Sequence, residues 1–151
     1  MPEYSISSST EASSSDVDTV FSGIRSFNEA YAGPSGFRKV HLFLRDESGV
    51  VRGGLLGKEL WDWLYVEILW VHESLRKRGL GSRLLRQAEL EAAARGRRKV
   101  LLDTFEFQAP GFYERHGYRV FGTLEGFPPG YRRYYLVKEL SGPVTPNDEV
   151  R

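Results

Sequence analysis

The stretch from Arg76 to Leu85, reading RKRGLGSRLL, constrains this chain more than any other. It follows an apolar run, Leu64 to Val71, that reads as a strand. It opens a run that reads as a helix ending near Gly96. A basic, glycine-containing turn between a strand and a helix has the chemistry of an anion site. The first N–H groups of a helix lack intrahelical partners and carry the positive end of the macrodipole. Gly79 and Gly81 have no Cβ, so a phosphate can approach the backbone closely. A strand–turn–helix unit around a phosphorylated small molecule is therefore expected.

The spacing narrows the choice of ligand. It is not G-x-x-x-x-G-K-[ST], which argues against a nucleoside-triphosphate loop, nor G-x-G-x-x-G, the dinucleotide fingerprint. Arg76-x-x-Gly79-x-Gly81 resembles instead the Q/R-x-x-G-x-G/A signature of the GNAT superfamily of acyl-CoA-dependent N-acyltransferases. A second block, from Ala109 to Tyr118, is similar to that family's A-x-x-F-Y-x-x-x-G-F/Y segment, with Ala109, Phe112, Tyr113, Gly117 and Tyr118 in register. The two blocks stand in family order, and the resemblance covers roughly residues 3–140. One departure is visible. Many family members carry Asn seven residues before the Tyr. That position is Glu106 here, with Gln108 the nearest amide.

Composition sets the outer bounds. At 151 residues the chain is read as one domain, 1–140, with a loose tail over 141–151. Apolar content of 40% and charged content of 27% are those of an ordinary soluble protein. The net charge of +1 draws no nucleic acid, and no nucleic-acid motif is present. There is no cysteine, which excludes disulfides, thiolate metal sites and a cysteine acyl-enzyme. Acyl transfer would then proceed by direct attack. The histidines, His41, His72 and His116, show no metal-ligand spacing, so no metal is expected, and each is read as structural. No apolar run reaches membrane length and no secretory signal is evident, so a cytoplasmic location is the default.

Element by element, the pattern reads β-α-β-β-β-α-β-α-β-β. Residues 3–8 alternate weakly, as a first strand would. A helix capped by Ser15 or Asp16 follows, carrying Val20, Ile24 and Phe27 and weakening at Ala32-Gly33-Pro34. Val40 to Arg45 and Val50 to Leu56 read as strands joined by a turn, Asp46 to Gly49. Trp63 to Val71 is the next strand. Leu80, Leu84 and Ala88, with Leu85 and Ala92 beside them, make the clearest amphipathic helix, and Arg95 can pair with Glu91. Val100 to Thr104 is a strand, Pro110 to His116 a short helix, and Tyr118 to Leu124 and Tyr131 to Leu140 the closing strands. The fold class is α/β with a mixed sheet (α+β), as the GNAT resemblance also implies.

The resemblance implies acetyl-CoA as acyl donor and a primary amine as acceptor, more in keeping with a small molecule than with a protein lysine. Backbone N–H groups from Arg78 through Gly79, Leu80, Gly81 and Ser82 to Arg83 would donate to the pyrophosphate, with the guanidinium of Arg76, Arg78 or Arg83 either nearby or simply solvated. Leu69 and Val71, at the end of the preceding strand, complete the expected cofactor contacts, the N–H near Val71 polarising the thioester carbonyl. Tyr113 takes the general-acid position. Glu67 is the candidate base: it is the lone charge in an apolar strand, and simple alternation puts Tyr65, Glu67, Leu69 and Val71 on one face. Phe27, Tyr31, Trp63, Phe105, Phe107 and Tyr131 are candidate acceptor contacts, and with Glu67 and Glu106 they would suit a cationic, ring-bearing amine. The basic run Arg95, Arg97, Arg98, Lys99 reads as a solvated helix end or a contact for the cofactor's 3′-phosphate. The sequence leaves open a protein N-acetyltransferase, a non-catalytic acyl-CoA-binding module and a homodimer.

Overall fold

The structure is a computed structural model that describes residues 1–141; the tail expected from residue 141 lies, but for Ser141, outside the described residues. Residues 1–35 and the residues from Gly36 onward form two compact units. In the first, helix α1 runs from Ser14 to Ala32. Ser13, not Ser15 or Asp16, is its N-cap: the Ser13 hydroxyl accepts from the Asp16 N–H at 3.2 Å. Gly33 ends it at φ 80°, its N–H donating to the Glu29 carbonyl. The apolar spacing of Val20, Ile24 and Phe27 made the helix legible, yet all three are more than half exposed. The first strand expected over residues 3–8 does not form; these residues are irregular and exposed. A strand needs a ladder partner for its backbone groups, and none is present among the described residues.

The second unit is built on one six-stranded sheet in the order β1-β2-β3-β4-β6-β5. The strands are β1 (Arg38–Arg45), β2 (Val51–Leu60), β3 (Trp63–Val71), β4 (Lys99–Phe105), β5 (Arg119–Glu125) and β6 (Arg132–Glu139). All neighbours are antiparallel except β3 and β4, which are joined by the crossover helix α2 (Leu80–Ala94). A six-residue helix, α3 (Pro110–Arg115), links β4 to β5. One face of the sheet makes the core. Val40, Leu55, Leu64, Leu102 and Leu136 contribute from five strands, and Leu85, Ala88 and Ala92 of α2 close over them. Each fully buried leucine here contributes about 1.5–3 kcal/mol relative to exposure. No helix is long and apolar enough to cross a membrane among the described residues.

Strand β2 runs four residues beyond the expected end at Leu56. Glu59 lies in this extension, where a carboxylate in an inward row is costly without partners. Partners are supplied from far along the chain. Arg95 donates to Glu59 through Nε at 2.9 Å and through Nη2, and Arg97 through Nε at 3.2 Å. The side chain of Glu59 is fully buried. Burial pushes its carboxyl pKa up, but the two guanidinium groups outweigh that and hold it below the ordinary 4.5. Arg95 approaches Glu91 only to 4.0 Å. The basic run after α2 is thus in part a buried structural clamp, with Arg97 also on the carbonyls of Trp61 and Gly36.

Two register features set the shape of the sheet around β3. The pairing of β2 with β3 passes from Leu56–Ile68 to Gly57–Val66, so Glu67 is an extra, bulged residue. Gly57 stands opposite the bulge, and a Cβ there would lie 2.2 Å from the Tyr65 carbonyl oxygen. The bulge breaks the simple alternation. Leu64 and Val66 face the core before it and Leu69 and Val71 pack on the core after it, while Glu67 and Ile68 are both exposed. The expectation that Tyr65, Glu67, Leu69 and Val71 share a face is therefore corrected. The second feature is that the parallel pairing of β3 with β4 stops at Val66–Leu102 although both strands continue.

Candidate active site

Where β3 and β4 part, a cleft of about 680 Å³ opens between the two strand ends and α3. Of the residues singled out from sequence it gathers Glu67, Leu69, Val71, Arg76, Gly81 and Tyr113, with Phe105 and Phe107 at the end of β4. Gly79 precedes α2 in the left-handed region at φ 75°, where glycine is favoured and where an added Cβ would nonetheless meet nothing within 4 Å. The Arg83 N–H donates to the Gly79 carbonyl as the first helical bond. The N–H groups of Leu80, Gly81 and Ser82 have no partner among the described residues. The first turn of α2 contains no acid and carries Arg83, an arrangement that opposes the helix dipole unless an anion binds there. Arg76 donates from Nε to the Val71 carbonyl at 3.2 Å, while Arg78 and Arg83 are exposed and have no acidic partner among the described residues. Free N–H groups, local cations and a glycine-thin surface together fit a pyrophosphate.

Tyr113 is 8% exposed, its ring packed edge-on against Phe112 and Tyr118. Its hydroxyl makes no hydrogen bond among the described residues, and no buried polar side-chain atom lacks a partner, so the phenolic oxygen reaches the cleft surface. Burial first, and the charge of Asp103 second, push its pKa up to about 12. It therefore stays protonated and able to donate throughout neutral pH.

Glu67 is 43% exposed, 3.5 Å from the ammonium of Lys58, which also lies over the Tyr65 ring at 5.4 Å. The sequence pattern did not single out Asp103, Tyr65 or Arg133. Asp103 accepts from the Tyr65 hydroxyl at 3.2 Å and from Arg133 through Nε at 2.8 Å and Nη2 at 2.5 Å. Burial, then Asp103, raise the Tyr65 pKa. The signal that could have found Asp103 is the one used for Glu67: a lone carboxylate in an apolar strand.

Phe105 stacks on Phe107 at 5.4 Å; Tyr131 meets Phe107 edge-on at 5.0 Å but does not itself line the cleft. Glu106 accepts from the Arg132 N–H, and Gln108 accepts from Phe105 N–H and the Thr104 hydroxyl, shaping the turn after β4. Trp63 is not with them. It lies at the opposite end of β3, lining a separate cleft with Lys99 and Arg119, because the strand is long enough to separate its ends. Phe27 and Tyr31 sit in the N-terminal unit, paired with each other at 5.1 Å. His72 accepts from the Ser74 N–H ahead of a short 3₁₀ turn, and His116 bonds the Phe112 carbonyl, local roles of the structural kind expected.

A family model described as an acetyltransferase (GNAT) domain matches residues 38–120. A blasticidin-S acetyltransferase of Streptomyces morookaense is 46% identical over 95 residues, 62% of this chain and 70% of that protein. The crystal structure of an acetyltransferase from Bacillus cereus superposes with a TM-score of 0.76 at 32% identity, over 89% of this chain and 98% of that one. An aminoglycoside 6′-N-acetyltransferase complexed with coenzyme A shares the fold, with a TM-score of 0.56 at 18% identity, over 68% of this chain and 73% of that one. The chain belongs to the GNAT family and is an acetyl-transferring enzyme.

Proposed function

We propose that this enzyme moves an acetyl group from acetyl-CoA to a primary amine of a small molecule. The observation that carries the reading is the cleft itself: Gly81, in the first turn of α2 where the N–H groups are unpartnered, Tyr113 and Glu67 all border one opening between parted strands. Bound there, acetyl-CoA supplies an activated thioester. Leu80, Gly81 and Ser82 donate backbone N–H groups to the pyrophosphate, and Arg76, Arg78 and Arg83 balance its charge. The N–H near Val71 polarises the thioester carbonyl as the amine nitrogen bonds to its carbon. An alkylammonium has a pKa of ~10.4, so the amine must first lose a proton, which Glu67 accepts directly or through water. Tyr113 donates a hydrogen bond to the departing sulfur. A thiol has a pKa of ~8.5, well below that of the buried phenol, so stabilising the departing sulfur by donation is less demanding than complete transfer of the phenolic proton.

The 46% identity to a blasticidin-S acetyltransferase supports a small-molecule acceptor and makes blasticidin S the first amine to test. Phe105 and Phe107, which line the cleft, suit a ring-bearing amine. The test is free-thiol release from acetyl-CoA against an amine library that includes blasticidin S, corrected for hydrolysis. Amine-dependent release with N-acetylated product by mass spectrometry is expected. Release that no small amine stimulates, with transfer only to protein lysines, would overturn the reading.

A further inference from the structure

The Arg133 guanidinium is held unusually firmly for a group lining an open cleft. Two of its nitrogens, Nε and Nη2, donate to a single Asp103 oxygen at 2.8 and 2.5 Å. Three rings, Phe127, Tyr135 and Phe105, lie 4.8, 5.3 and 5.4 Å from its central carbon. Asp103 uses the inner edge of the guanidinium. The outer edge, formed by Nη1 and the remaining Nη2 hydrogen, has no partner among the described residues. No buried polar side-chain atom is unsatisfied, so that outer nitrogen is accessible, on a side chain that borders the cleft. Two parallel N–H donors on a fixed plane match a carboxylate in bidentate geometry.

We propose that Arg133 determines acceptor specificity by binding a carboxylate on the acceptor, at the end of the molecule away from the reacting amine. The proposal rests on the small-amine reading above and sharpens it. The acceptor class is a primary amine joined through a flat ring to a carboxylate, the ring lying against the aromatic wall of Phe105 and Phe107. Asp103 is the positioning residue: it anchors the guanidinium inner edge so that the outer edge faces the ligand. Lysine at this position would keep the charge and lose the fork.

The test compares para-aminomethylbenzoate with para-aminomethylbenzamide, which differ in the carboxylate alone. Calorimetry on the wild-type protein should give about tenfold or more tighter binding of the acid. Arg133→Gln should abolish the preference, and Arg133→Lys should leave an intermediate one. Thiol release is followed in parallel. Acid preference without acetyl transfer still supports the carboxylate site at Arg133, while the small-amine reading stands or falls on the amine library. Equal affinity of the wild type for the two probes, including no measurable binding of either, overturns the proposal, as does a preference that survives in Arg133→Gln. The wild-type and Arg133→Lys comparisons decide the matter even if Arg133→Gln does not fold.

Discussion

At the scale of single residues, the cleft separates two roles that the sequence had assigned by motif and by exception. Tyr113 comes from a motif, and its burial explains why the phenol keeps its proton. Tyr113→Phe retains the ring and its packing and removes only the donor. We expect kcat to fall at least about tenfold with acetyl-CoA affinity nearly unchanged. A wild-type kcat, measured with chemistry rate-limiting, would reduce Tyr113 to a packing residue. Glu67 was noticed because it is charged where its neighbours are not. The bulge gives the physical reason it is tolerated: the extra residue leaves the ladder and its carboxylate reaches solvent beside Lys58. If Glu67 takes the amine's proton, the rate of Glu67→Gln should climb steadily with pH, as free amine becomes available without a base. The wild type should level off once its base is ionised. Parallel pH profiles, with only KM raised, would make Glu67 an acceptor-binding group.

At the scale of elements, the cleft depends on strand β3 being imperfect. Gly57 has to be glycine because of close approach, with no room for a side chain against the Tyr65 carbonyl. Gly57→Ala must therefore shift the β2–β3 pairing. We expect a loss of roughly 1–3 kcal/mol in urea unfolding and a larger proportional loss of turnover, since Glu67 moves with the bulge. An unchanged unfolding midpoint would show that the pairing adapts freely. Helix α2 makes the opposite case. A Cβ at Gly81 meets only the Phe112 ring, at 3.7 Å, and the edge of Val71, so Gly81→Val should fold. Its branches would stand where a phosphate must approach, and acetyl-CoA affinity should drop sharply by calorimetry. Unchanged affinity in the folded variant would remove the pyrophosphate from this turn.

At the scale of the sheet-bearing unit, the Glu59 clamp joins β2 to the chain following α2, and it makes stability depend on acid. The carboxyl pKa is lowered on folding, so its contribution is complete above the ordinary 4.5 and is lost as pH falls through and below that value. Thermal unfolding should therefore occur at lower temperature on acidification below about pH 5, the region where an unfolded carboxyl begins to take up protons. Removing the partner is harsher than removing the charge: Arg95→Ala leaves a buried carboxylate half paired and should cost roughly 3 kcal/mol or more. Glu59→Gln should flatten the part of the acid dependence that the clamp supplies. An Arg95→Ala protein as stable as wild type would mean that water or Arg97 satisfies Glu59 alone.

Local order was legible because it is written in local chemistry. The apolar period of Leu80, Leu84 and Ala88, the glycine at 79 and the proline at 110 each specify backbone geometry within a few residues. On that basis the chain's own residues set the strand–turn–helix unit and the glycine turn proposed to hold the pyrophosphate, and the Tyr113 motif marked the neighbouring helix. What the sequence could not determine were relations across long separations. The extension of β2 through Glu59 waits on arginines 36 and 38 residues later. The face on which Leu69 falls is decided by a bulge that exists only against Gly57. Trp63 and Glu67 are neighbours in sequence, but one strand carries them to different clefts. Asp103 and Arg133 become a pair only because β4 and β6 are adjacent, which strand order in the sheet decides and no local pattern records.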